Sequence, residues 1–302
     1  MKKAFEEIYS YKPDWIVAIG GGSTIDFAKL CWLFYEHPDL DEDQISRNFS
    51  VPPLRGKCRF IAVPTTAGTG SEMSSSAVYQ NDENDRKKFV VTHDFLPDIA
   101  ILDPRFILNA PKKIKINSAF DALAHSIEGY VSLFRNEHTQ DLASIAIKKI
   151  FSNLEMYVNS EEHIEPAHEI LRAANYAGIV QNISIPGIGH AFSHEVSKYQ
   201  LNHGFSCGSF LPIAMKINLR DEKVKKLYEK LANELGFYSS DELLANVEML
   251  RDKYDLYIGK DKKNQIKLSS EIMESIKKDP TARANPVGIT NELLEDFYQQ
   301  IV

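Results

Sequence analysis

Cysteine is scarce. The chain has three, Cys31, Cys58 and Cys207, among 302 residues, and no two of them form a Cys-x-x-Cys pair. That excludes a disulfide framework and makes the reducing cytoplasm the expected compartment. No apolar run approaches the length of a membrane span, and the opening MKKAFEEIYSYKPDW lacks the apolar centre of a signal peptide. Positive charge is not in excess either. The net charge is −7, with acids and bases interspersed, which argues against nucleic acid or another polyanion as partner. A local phosphate site built from backbone amides stays open. Internal repeats and low-complexity tracts are missing, as is the glycine spacing of the common dinucleotide fingerprint. What is present is apolar material, 43% of the chain, enough for a large core and two domains.

Taken in order, residues 3–10 carry Ala4, Phe5, Ile8 and Tyr9 at helical spacing, and Lys12-Pro13 ends that turn. Trp15–Ile19 is a continuous apolar run of strand length. Gly20-Gly21-Gly22-Ser23 follows directly, and Thr24–Tyr35 reads as a helix. Strand, glycine turn and helix aim N–H groups at a phosphate, although a plain tight turn explains the glycines equally well. A second such segment favours a ligand. Arg59–Val63 reads as a buried strand, and Pro64–Glu72, PTTAGTGSE, offers hydroxyl donors and close backbone approach suited to phosphate or ribose. Ser76–Tyr79 and Lys88–Thr92 flank the polar turn NDENDR as a hairpin, and Asp98–Leu102 is a further short strand.

From Pro111 onward helical periodicity dominates. Helices are expected over Ser118–Leu133, Thr139–Tyr157, Pro166–Ile183, Phe205–Leu219, Glu222–Leu235, Asp241–Tyr254, Ser269–Lys278 and Asn291–Ile301. The charged stretch Lys260–Lys267 reads as a solvated loop. A boundary near residue 110 separates an α/β part, 1–110, from an all-helical part, 111–302.

Within the helical part, Asn117–Tyr130 (NSAFDALAHSIEGY) sets Asp121 and His125 four apart, on one face of a helix. A carboxylate and an imidazole so placed form half of a divalent metal site, and His190, His194 and His203 cluster downstream to supply the rest. A blander explanation competes. Asp121 lies three residues after Ser118 and could close a capping box, with His125 a satisfied core histidine. Imidazole and carboxylate suit Fe2+, Zn2+ or Ni2+ alike.

These segments together resemble the iron-containing (group III) alcohol dehydrogenase family. The resemblance rests on GGGSTID at 20–26, PTTAGTGSE at 64–72, DALAHSIEGYVS at 121–132, the His190 to His203-Gly204 block, and DPTARANPVGITNE at 279–292. It implies a dehydroquinate synthase-like architecture, with an incomplete Rossmann-like parallel sheet before the helical domain. The implied reaction interconverts an alcohol and an aldehyde or ketone by hydride transfer with NAD or NADP. The implied cofactors are that nucleotide and a divalent metal, Fe2+ first, with Zn2+ or another divalent ion as the alternative. Asp121, His125, His190 and His203 would hold the metal, and His194 would either relay a proton or pack beside the nicotinamide. Gly21, Gly22, Ser23 and Asp26 would meet the pyrophosphate, Thr65, Thr66, Thr69 and Ser71 the rest of the cofactor, and Lys88 the ribose. Cys207, four residues past His203, receives no role. The resemblance also implies a homodimer or larger homo-oligomer acting on a small molecule.

Two departures accompany it. His190 and His203 are thirteen apart where relatives show fourteen, and the first mononucleotide half expected before Met1 is missing, so the sheet is expected to show an unpaired edge. A late start codon is the favoured explanation, ahead of a degenerate protein or a sheet completed by another chain. The alternatives to the dehydrogenase reading are a glycerol dehydrogenase-type or dehydroquinate synthase-like metalloenzyme, or a truncated, non-catalytic binding protein.

Overall fold

A computed structural model describes residues 2–45, 47–80, 87–159, 162–259 and 265–301. The expected turn at 81–86 and residues 260–264 of the charged stretch lie outside those. In chain order the α/β part contains α1 (Lys2–Tyr11), β1 (Trp15–Gly20), α2 (Gly22–Glu36), α3 (Glu42–Ile45), β2 (Arg59–Pro64), β3 (Ser76–Gln80), β4 (Lys87–Val91), β5 (Ile99–Ala100) and α4 (Arg105–Leu108).

The sheet order is β1-β2-β5. β1 and β2 run parallel in a register from Trp15↔Arg59 to Gly20↔Pro64, and β5 pairs with β2 through Ile61↔Ile99 and Ala62↔Ala100. Parallel pairing delivers both glycine-rich loops to the same end of the sheet, where ligands of open α/β folds bind. α2 packs on one face, burying Ile25, Trp32 and Leu33, and the Trp32 ring stacks on Phe60 at 5.2 Å. Each such side chain contributes about 1.5–3 kcal/mol. The other face is open. Trp15, Val17 and Ile19 are 43%, 52% and 54% exposed, and Ile99 in the same row is 45% exposed. The apolar run of β1 is therefore buried on one side only, and among the described residues no strand pairs with its free side. β3 and β4 make a separate antiparallel hairpin, from Ser76↔Val91 to Gln80↔Lys87.

The helical part runs α5 (Lys112–Val131), α6 (Glu137–Asn159), α7 (Ile164–Ser184), α8 (Ile188–Val196), α9 (His203–Asn218), α10 (Glu222–Leu235), α11 (Ser240–Lys253), α12 (Ser270–Lys278), α13 (Pro280–Ala284) and α14 (Asn291–Gln299). α5 is the central element. Nearly every residue from Lys115 to Val131 is buried, as expected of a helix surrounded by neighbours on all sides. One apolar cluster joins α5, α6, α7 and α10 through Phe120, Ile127, Ile150, Leu171 and Leu231. A second joins α8, α9 and the last helices, where Phe192 stacks on Phe297 at 4.0 Å.

Two expectations are corrected here. α5 begins at Lys112, six residues before the expected start, and the Ser118 hydroxyl donates to the carbonyls of Ile114 and Lys115 inside the helix. Ser118 is thus no cap, and the capping-box explanation of Asp121 falls away. α8, for which no helix was expected, has two of its first N–H groups satisfied from far along the chain. Asn285 Oδ1 accepts from Ile188 at 3.2 Å, and Glu128 Oε1 accepts from Gly189 at 2.7 Å.

Candidate metal centre

α5, α8 and α9 meet at one buried point. Asp121 Oδ1 lies 3.4 Å from His203 Nε2, 3.7 Å from His190 Nε2 and 3.9 Å from His125 Nδ1. One donor atom each from Asp121, His190, His203 and Cys207 lies within 4.8 Å of the others. His125 is adjacent but differently turned. Its ring stacks on His190 at 4.3 Å, with the planes 26° apart, and it also meets the backbone of Gly68.

The approach depends on Gly204. A Cβ there would sit 2.1 Å from the Asn117 carbonyl oxygen and 3.3 Å from Asp121 Cβ, so only glycine lets α9 close onto α5 beside His203.

Asp121 Oδ1, His125 Nδ1 and His190 Nε2 are buried and make no hydrogen bond. Glu128, two turns beyond Asp121 on α5, fixes the tautomer of His190. Its Oε2 lies 2.5 Å from His190 Nδ1 while Oε1 holds Gly189 N–H. With a proton on Nδ1, the neutral ring turns its Nε2 lone pair toward Asp121 Oδ1 3.7 Å away, an arrangement that draws positive charge to this point, whether as a proton on Nε2 or as a cation. Burial would raise the Asp121 carboxyl, but the charges of His125, His203 and His190 hold it far below the usual carboxylate range. Burial pushes His125 down to about 3 against the pull of Asp121. Burial would lower His190 too, yet Cys207, Asp121 and Glu128 raise it well above the ordinary imidazole value. The cluster calls for positive charge, and a divalent cation fits its donor set.

His194 stands beside this point. Its ring stacks on His203 at 5.3 Å, the planes 9° apart, and its Nδ1 lies 2.9 Å from Asp279 Oδ2. Phe89 of β4 meets the His194 ring at 5.3 Å. The adjacent Lys88 sits across the hairpin from Tyr79.

The two glycine loops touch each other. A Cβ on Gly22 would meet the Thr69 hydroxyl at 2.7 Å, and Thr66 lines Gly21. Thr65 N–H donates to Gly20 O at 2.9 Å, and Ser23 is exposed at the start of α2. Asp26 and Ser71 are brought together but bond each other, the Ser71 hydroxyl donating to Asp26, which also accepts from Val78 N–H at 3.1 Å. Their visible work is to shape the second loop. Lys29 completes that work by donating to the carbonyls of Ser71, Ser74 and Ser76 at 2.7, 2.8 and 3.1 Å. α7 braces the loop from the other side, with Gln181 donating to Thr69 O and Asn175 to Glu72 at 3.1 Å.

Sequence reasoning passed over Glu128, Asp279 and Lys29, and it noted Cys207 without giving it a role. Glu128 falls seven residues after Asp121, and Cys207 four after His203. Both spacings stack side chains on one helix face and were available signals. Asp279 and Lys29 act over long sequence separations and gave none.

The chain matches the iron-containing alcohol dehydrogenase family over residues 1–104 and the C-terminal part of that family over residues 115–297. It is 34% identical to aldehyde-alcohol dehydrogenase 2 of Entamoeba histolytica over 251 residues, covering 80% of this chain and 28% of that one. It is 32% identical to an alcohol dehydrogenase of Thermococcus barophilus over 305 aligned positions, 97% of this chain and 78% of that one. Its fold superposes on the sulfoacetaldehyde reductase of Bifidobacterium kashiwanohense, solved with NAD+, with a TM-score of 0.87, 26% identity, and coverage of 99% and 79%. The chain thus spans over three quarters of some relatives and little more than a quarter of others. By these matches, and by the loops and buried donors that accompany them, the chain belongs to the iron-containing alcohol dehydrogenase family.

Proposed function

We propose that this chain interconverts a small alcohol with its aldehyde or ketone, exchanging hydride with a nicotinamide dinucleotide at a divalent cation. The observation that carries this reading is the set of buried atoms without hydrogen bonds on Asp121, His125 and His190, held by α5 and α8 at the point where His203 of α9 joins them. Asp121, His190 and His203 would hold the cation together with His125, whose Nδ1 lies 3.9 Å from Asp121 Oδ1. Once bound, the cation supplies Lewis acidity toward the substrate oxygen.

The chain's own residues do the remainder. Gly21, Gly22 and Ser23 offer the α2 N-terminus to the cofactor phosphates. Thr65, Thr66 and Thr69 line the adjoining loop, Asp26 and Ser71 keep that loop's shape, and Lys88 reaches the ribose side. His194, with Asp279 holding a proton on Nδ1, presents Nε2 to accept the alcohol proton or return it. The helical walls exclude water from the donor cluster, which strengthens every charge interaction within it.

The family name and the donor chemistry make iron the first choice of metal, and the NAD+ held by the Bifidobacterium relative supports a nicotinamide cofactor. We also divide the chain near residue 110, place it in the cytoplasm, where three unpaired buried cysteines are at home, and expect a homodimer or larger. No helix among the described residues is long and apolar enough to cross a membrane. The test combines metal analysis with a screen of alcohols and aldehydes against NAD(H) and NADP(H). His203→Ala is expected to lose both metal and turnover while keeping the fold. Full activity in that variant overturns the reading.

A further inference from the structure

Lys29 is completely buried on α2, two turns past Gly22 and one past Asp26. Its Nζ donates into a cage of oxygens, the carbonyls of Ser71, Ser74 and Ser76 at 2.7, 2.8 and 3.1 Å and the Ser74 hydroxyl at 3.1 Å. An ammonium carries three N–H groups and no acceptor, so this cage satisfies it completely. The Ser74 hydroxyl donates in turn to the Ser76 carbonyl at 3.1 Å, which leaves its lone pairs to Nζ. Two further buried groups, Asp26 and Glu72, favour the charged form of Lys29 from nearby. Such a cage selects a cation, because an apolar side chain of the same length would withdraw a charged donor from three carbonyls.

The cage is built from the segment that leads from the second glycine loop into the hairpin. Upstream of it, the Thr69 side chain packs against Gly22. Downstream, Ser76 opens β3, and Phe89 of the paired β4 meets the His194 ring. α2 thus starts against the second loop and, two turns later, holds that loop's far end. One helix sets both the spacing between the loops and the shape of the second.

We propose that the Lys29 ammonium acts as a tethered monovalent cation, a positioning residue that fixes the second loop against α2 for the dinucleotide, and that its cage takes up a free alkylammonium ion when the tether is cut. This deepens the cofactor reading above and rests on it. Lys29 itself touches neither cofactor nor substrate. Its effect passes through the backbone of Ser71–Ser76 to Thr69 and its neighbours.

The test titrates the metal-loaded chain with NADH and with NADPH and follows nicotinamide fluorescence. Lys29→Ala removes three carbons and the ammonium, which propylammonium restores atom for atom. This variant is expected to keep its metal but to bind the reduced cofactor about tenfold more weakly, the worth of one charge-assisted bond. Propylammonium chloride should restore most of that loss, and sodium chloride at the same ionic strength should not. Lys29→Met keeps the volume without the charge, and is expected to bind as weakly as Lys29→Ala and to ignore propylammonium. A Lys29→Ala chain that folds only with propylammonium supports the proposal. One that stays unfolded in its presence overturns it, since the loss then reaches beyond the loop. Unchanged cofactor affinity in either variant, or a loss that propylammonium relieves no better than sodium, overturns the role of Lys29 and leaves the cofactor reading standing. An unaltered protein that binds neither NADH nor NADPH overturns both.

Discussion

Glu128→Gln perturbs the centre without touching the cation. Glu128 is buried, and its two oxygens serve Gly189 N–H at 2.7 Å and His190 Nδ1 at 2.5 Å. Glutamine keeps the volume but offers one acceptor and one donor. If its oxygen keeps Gly189, its NH2 faces His190 Nδ1, the imidazole proton moves to Nε2, and the lone pair meant for the cation is lost. If the amide turns over, NH2 opposes Gly189 N–H and leaves a buried donor unpaired, which costs about 1–3 kcal/mol. Either arrangement also gives up a charge-assisted bond of about 1.5–3 kcal/mol. Loss of such a ligand-orienting partner lowers metal affinity about 10–100-fold, or roughly 1.4–2.8 kcal/mol. Chelator competition measures the affinity, and urea unfolding of the metal-free protein measures the rest. Glu128→Gln holding its cation within about twofold of the unaltered protein, with no loss of stability in the metal-free form, would refute the tautomer argument, because a displaced ligand proton must weaken the cation and a turned-over amide must destabilise the fold.

Gly204→Ala should separate α9 from α5, because the new methyl meets a backbone oxygen that has no rotamer to escape into; a loss of about 1–3 kcal/mol in urea unfolding, with weaker metal retention, is expected. His194→Ala should slow turnover by about a hundredfold or more while metal content is unchanged, and an unaltered rate and pH profile would remove the proton relay. Lys29 yields a pH effect of definite sign. Burial brings its ammonium from 10.5 down to about 8 against the pull of Asp26 and Glu72. Between those values the unfolded chain binds more protons than the folded one, so this residue makes stability rise from about pH 8 to about pH 10.5, by on the order of 3 kcal/mol in all. Unfolding of the unaltered protein and Lys29→Met across that window should diverge accordingly, and parallel curves would show that Lys29 does not titrate there.

The parts legible in the sequence are those whose causes are local. α10, α11, α12 and α14 open on Asp221, Ser239, Ser269 and Thr290, each accepting from an N–H of its own first turn, and their starts were read to within a residue. α8 was not legible, because the groups that satisfy its first turn, Asn285 and Glu128, lie 97 and 61 residues away. The start of α5 was misplaced because Lys112–Ile116 has weak apolar periodicity, and its distant ties, Lys112 donating to Asn159 and Lys115 to the Tyr157 carbonyl, leave no local signal. At the site, residue types and spacing nominated Asp121, His125, His190, His194 and His203, but not the way each ring is turned. That orientation depends on Glu128, Asp279 and Gly68, which no spacing rule connects to the histidines. Asp26 and Ser71 show the same limit. Their residue types suit a phosphate, while the structure bonds them to each other.

The paired register of β1 and β2 has an engineering consequence. Because Gly20 lies opposite Pro64, the spacing between the two loops is set by the lengths of two strands measured against each other. Removing one residue from either strand would slide its loop by about 3.3 Å and turn every following side chain to the opposite face. Shortening both by one residue would preserve the match between loops but move the pair away from α7. Insertions in this region are therefore tolerable before the strands begin and not within them, which sets where a tag, a linker or a grafted peptide can enter this part of the chain.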